Sequence, residues 1–74
     1  MMDDWREKFI KTALNQRIAM YQELMESDEK DIQWAKDNEF EALENWFVGR
    51  VKGYASAQNT LRDILNMFPG EGDA

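Results

Sequence analysis

An all-α fold is what this sequence predicts, on three observations. Large apolar residues recur every seventh position as Phe40, Phe47, Tyr54, Leu61 and Phe68, the spacing that lines one seam of a helix. A second apolar periodicity, close to the helical repeat, runs from Trp5 to Met25. The only Pro stands at position 69, so neither pattern is broken by one.

Taken in order, Asp4 followed three residues later by Glu7 has the form of a capping box, and Asp3 adds charge suited to the positive end of the helix dipole. A first helix over 3–26 follows. Trp5, Phe9, Ala13, Met20 and Leu24 share a side with Ile10, Leu14, Ile18, Tyr21 and Met25, an arc of roughly 220°, wider than one neighbour needs. Trp5 is expected in the core. Arg17 falls inside the arc and is expected to pair with a carboxylate or to extend its head to water.

Glu26, Ser27 and Asp28 offer the first plausible turn, with Ser27 or Asp28 capping a second helix over 28–67. A competing break lies at 37–39, where Asn38 and Glu41 also have capping-box form; a chain broken at both places would be a monomeric three-helix bundle. Ala35, Ala42, Gly49 and Ser56 repeat every seventh residue beside the aromatic seam, which favours one unbroken second helix. Gly49 and Gly53 predict the close approach of another backbone near 49–57, and Trp46, beside Phe47, is expected in the core. Phe68, Pro69 and Gly70 end the helix, leaving 69–74 as a tail.

A helix over 4–26 spans roughly 35 Å and one over 28–67 roughly 60 Å, so the first covers only part of the second. The sequence therefore predicts a homodimer, a four-helix bundle joined through Phe40, Phe47, Gly49, Gly53, Tyr54, Ala57, Leu61 and Phe68.

Composition narrows function. The chain of 74 residues is one domain, has no Cys and no His, and carries a net charge of -6. Disulfides, zinc sites and imidazole chemistry are thereby excluded, and neither a cofactor nor a catalytic set is expected. The charge argues against direct binding to nucleic acid, no run reaches the roughly 20 apolar residues of a membrane span, and the acidic start is unlike a signal peptide, so a cytoplasmic location is expected.

All the excess charge lies in residues 23–44, which hold nine acids and two bases. Within that belt Glu23 with Glu26 and Glu41 with Glu44 form two ExxE pairs. They resemble the paired acidic helices of the all-α nucleotide pyrophosphohydrolases of the MazG type, in which such pairs imply Mg²⁺ held by carboxylates. The resemblance covers about 22 residues, and the second pair ends in Glu44 where that family normally has Asp.

The expected function is that of a protein–protein interaction module, an adaptor or inhibitor working by apolar burial and charge complementarity, with another protein as partner. Trp34, Asp31, Asp37, Glu41 and Glu44 are the candidate partner-binding residues. The alternative is an acidic mimic of nucleic acid that blocks a basic binding protein, carried by Asp28, Glu29, Asp31, Asp37, Glu39, Glu41 and Glu44.

Overall fold

The computed structural model describes residues 4–68. It is an all-α helical hairpin: α1 (Asp4–Asp37) and α2 (Glu41–Leu65) lie antiparallel, joined by a three-residue turn. The favoured turn is corrected here and the competing one is found: the chain does not turn at Glu26, Ser27 and Asp28, where α1 continues unbroken, and the turn sits at 38–40, at the competing break. With one break rather than two, the result is neither a 3–26/28–67 hairpin nor a three-helix bundle. The Pro69–Ala74 tail lies outside the described residues, as does Asp3.

The reason for continuity at 26–28 is that its polar side chains find better partners than a cap. Glu26 accepts a hydrogen bond from Gln22 Nε2 at 3.2 Å, and Asp28 is drawn inward to Arg50 of α2. The turn at 38–40 has its own logic. The Phe40 N–H donates to Ala35 O at 2.8 Å and the Glu39 N–H donates to Lys36 O at 3.1 Å, while Glu39 takes a left-handed φ of 62°. These are the paired bonds of a Schellman motif, which satisfies carbonyls that a helix end otherwise leaves open. Its usual apolar clasp is present too, as the Phe40 and Trp34 rings lie 5.5 Å apart. Asn38, read from sequence as a cap for a following helix, closes the preceding one: its Nδ2 donates to Trp34 O at 2.8 Å. Phe40 is the N-cap of α2 without a side-chain hydrogen bond, and Glu41 and Glu44 supply the favourable negative charge of its first turn.

The seven-residue repeat of small residues does not survive the turn. Ala35 is fully buried on α1, whereas Ala42, Gly49 and Ser56 are exposed on α2. The helix lengths are also reversed from expectation, roughly 51 Å for α1 and roughly 37 Å for α2.

Between the helices the inward positions alternate by three and four residues. On α1 they are Leu14, Ile18, Tyr21, Met25, Asp28, Ile32 and Ala35; on α2 they are Phe47, Val51, Tyr54, Gln58, Leu61 and Leu65, all buried or half-buried. The aromatic seam thus points at α1, with Tyr54 5.6 Å from Tyr21 between ring centroids. Two polar residues lie in this core. Gln58 donates to Ile18 O at 2.9 Å and to Gln22 Oε1 at 3.3 Å, and Asp28 accepts from Arg50 Nη2 at Oδ1, while its Oδ2 faces the charge of Arg50 without an aligned hydrogen bond. A buried polar residue in such a seam fixes register.

Nothing lies within 4 Å of a Cβ placed on Gly49 or Gly53. The close backbone approach expected there does not occur within the chain, because both positions face away from α1. Gly49→Ala should therefore stabilise the protein by about 0.5–1 kcal/mol through helix propensity alone, measured as a raised midpoint in chemical denaturation; no change or a loss would show that something packs on that position.

Candidate interaction face

Each helix carries a second row beside its inward one. On α1 it is Ile10, Ala13, Arg17, Met20, Leu24, Ser27, Asp31 and Trp34; on α2 it is Leu43, Trp46, Arg50, Gly53, Ala57, Thr60 and Ile64, continued by Met67 in the turn just after the helix. Spacings again alternate by three and four. Because the helices are antiparallel, rows displaced in the same rotational sense from the two inward rows emerge on the same side of the hairpin. One broad face results. The opposite face presents Trp5, Lys8, Thr12, Asn15, Ala19, Gln22, Glu26, Glu29, Gln33 and Lys36 of α1 with Asn45, Val48, Lys52, Ala55, Asn59 and Arg62 of α2, and is polar apart from Trp5 and three small or half-buried positions.

The asymmetry shows in exposure. Ten large apolar residues are exposed among those described, and seven of them, Ile10, Met20, Trp34, Leu43, Trp46, Ile64 and Met67, belong to the first face. Trp34 and Trp46 are more than half exposed and Met67 is 81% exposed. Trp46 is therefore not a core residue, since it sits well round the helix from the seam. Trp5 is 65% exposed, contrary to its expected burial, because it projects with Phe9 past the level at which α2 ends.

At the turn end of this face Trp34, Phe40, Ala42 and Leu43, rimmed by Glu39 and Glu41, line a shallow groove of about 540 Å³. Toward the middle Arg50 is held from several sides. Its Nε lies 3.0 Å from Asp28 Oδ2 and its Nη2 donates to Asp28 Oδ1 at 3.3 Å. The Nε–H is not aimed along the shorter contact, which is one of charge rather than an aligned hydrogen bond. The guanidinium carbon sits 4.8 Å from the Trp46 ring centroid, 5.6 Å from that of Tyr54 and 5.8 Å from that of Phe47. Stacking and ion pairing together fix the head of a long side chain that would otherwise be mobile.

The residues expected to serve self-association divide. Phe47, Tyr54, Leu61 and Phe68 are half-buried, the first three on α2 turned toward α1, and Phe68 has the Lys11 ammonium 5.9 Å from its ring centroid. Phe40 is half exposed in the turn, Gly49 is exposed on the outer edge, and Gly53 and Ala57 lie on the second row. Of the residues expected to bind a partner, Trp34 and Glu41 share the groove and Asp31 is exposed on the same face. Asp37 is exposed and accepts a hydrogen bond from Gln33 Nε2 at 2.8 Å, and Glu44 is half-buried at the end of the inward row.

The seven acids expected to carry the mimicry are dispersed. Asp28 is 3% exposed and neutralised by Arg50, and Glu29 and Asp31 emerge on opposite faces. The two ExxE pairs do not meet either: in the register set by Asp28 and Arg50, Glu44 is level with Trp34, some 11 residues or roughly 16 Å along α1 from Glu23. Among the described residues no group of three or more acidic side chains is placed to hold a metal ion, and no helix is long and apolar enough to cross a membrane.

Met20, Leu43, Ile64 and Met67 were not singled out from sequence as binding residues. The signal for them was present in the wide apolar arc of α1 and in a row on α2 offset from the aromatic seam, the latter masked by the stronger seven-residue repeat next to it. Comparison with protein-family models, with curated proteins and with solved structures finds no match.

Proposed function

We propose that this chain is a helical protein–protein interaction module whose working surface is the apolar face of the hairpin, and that it acts by burial rather than by catalysis. The observation that carries this reading is the segregation of exposed Ile10, Met20, Trp34, Leu43, Trp46, Ile64 and Met67 onto one side. Large apolar side chains gathered on one exposed side mark an association site, and tryptophan is among the residue types that dominate binding energy.

The thinness of the core points the same way. Within the chain Met25 and Ala35 are the only apolar residues that count as buried among those described, so the hairpin holds little core of its own.

A photo-cross-linking amino acid tests the reading directly when placed at Trp46 on the apolar face and, in a second protein, at Asn59 on the polar face. Protein adducts should form from position 46 and not from 59, should persist in high salt because the contact is apolar, and should fall at least about tenfold when Trp34→Ala is added. Equal yields from the two faces, or adducts lost on adding salt, would overturn it.

A further inference from the structure

The occupant of the face can be named. We infer that it is a second copy of this chain, laid face to face by a two-fold axis that passes at the level of Leu24, so that Arg17 of each protomer pairs with Asp31 of its partner; this rests on the reading of the face as an association surface.

Charge carries the argument. Along its two rows the apolar face holds three charged residues, Arg17, Asp31 and Arg50, and Arg50 is already neutralised by Asp28. Arg17 and Asp31 are both exposed and neither has an ion-pair partner among the described residues. They cannot meet each other within the chain, being 14 residues or roughly 21 Å apart on one continuous helix. Both stand in the row that includes Leu24, each seven residues from it, one on either side. A half-turn about an axis through that level, lying in the interface and perpendicular to the helices, stacks α1 antiparallel on its copy. It thereby sets Arg17 opposite Asp31 twice over. An isologous contact demands this kind of self-complementarity, in which residue i meets j and j meets i.

The other helix answers to the same axis. In the register of the hairpin Leu24 is level with Tyr54, and the α2 rows are nearly palindromic about that point. Leu43 and Trp46 lie on one side, Ile64 and Met67 on the other, with Gly53 and Ala57 between. The half-turn sets the bulky pairs over one another and the small residues over small. Gly53, whose Cβ position is open space in the single chain, gains a neighbour there.

Charge reversal provides the test, with mass measured by sedimentation across a concentration series and helicity checked by circular dichroism to show that each variant is folded. The wild-type chain should sediment at about twice its 8.8 kDa. Arg17→Asp and Asp31→Arg should each weaken the homodimer by roughly 30-fold or more, since each places two like-charge pairs in the interface. An equimolar mixture of the two variants should recover the dimer to within about threefold, because one protomer then carries two acids at these positions and the other two bases. A wild-type chain that stays monomeric at high micromolar concentration overturns the proposal. So does a dimer that the single reversals leave intact, or one that mixing fails to restore. In each of those cases the interaction-module reading still stands or falls separately, on the yields from positions 46 and 59.

Discussion

Ser27→Pro is expected to unfold the protein. Ser27 lies in the interior of α1, ten residues from the end at Asp37, with an exposed side chain. Its replacement removes an intrahelical hydrogen bond and drives the proline ring against the carbonyl four residues before, a cost of about 3 kcal/mol or more. A single core in a chain of this size supplies only about 3–5 kcal/mol, so the substitution consumes most of the stability. Circular dichroism at fixed protein concentration would show most of the helical signal lost at room temperature. The same substitution also discriminates between the two hairpins that this chain could form. Were 26–28 a turn with a capped helix following it, proline near the first helical position would be accepted with little change, since the missing N–H has no partner there. Near-native helicity in Ser27→Pro would therefore refute the continuous first helix.

The second large effect is expected at Arg50. Asp28 is nearly fully buried, and Arg50 Nε at 3.0 Å is its charge partner. Arg50→Ala leaves that carboxylate buried and unpaired, and removes the guanidinium stacked on Trp46, Tyr54 and Phe47. Breaking a buried pair on one side costs about 3–5 kcal/mol, and because the Arg50 side chain is 37% exposed the low end of that range, about 3 kcal/mol, is expected. Thermal unfolding followed by circular dichroism is the measurement. The double variant Asp28→Leu with Arg50→Met should recover most of the loss, because two apolar side chains in a seam of apolar neighbours leave nothing to solvate. If the single variant melts within a degree or two of wild type, the pair does not hold the hairpin; if the double variant is as unstable as the single, the contribution of Arg50 is its packing on the aromatic rings.

These two substitutions bear on the same question of how the chain decides where to turn. Local sequence offers two caps, one at Ser27 or Asp28 and one at Asn38, and does not rank them. The outcome follows from a contact 22 residues apart: once Arg50 takes Asp28 inward, the carboxylate that could have capped a helix is engaged across the hairpin, and α1 runs on. The chain then turns where the Trp34 and Phe40 rings clasp the Schellman motif, even though this requires Glu39, not glycine, in the left-handed region at a cost of order 1 kcal/mol.

For the exposed apolar face the sequence was legible in part. The arc of α1 is too wide for one neighbour, and that alone predicts two contacts, one with α2 and one beyond it. The seam from Phe47 to Leu61 was legible as a seam, and it is the packing surface of α2 against α1 rather than a surface left over. That neither Gly49 nor Gly53 meets α1 could not be read from sequence, since a glycine kept for close approach within the chain and one facing outward look alike until the neighbouring helix is placed.

What the sequence determined by itself is helicity and amphipathicity, because both follow from spacing along the chain: apolar residues three and four apart share a helix face wherever that helix is put. It also determined that no imidazole, thiol or disulfide chemistry is present, because that is a matter of inventory. Only the tertiary structure decided the position of the turn, which row of α2 meets α1, and therefore which row is left facing outward. Those depend on the pairing of Asp28 with Arg50 and of Gln58 with Ile18 and Gln22, contacts between residues far apart in the chain, whose energies exceed the small differences between alternative caps.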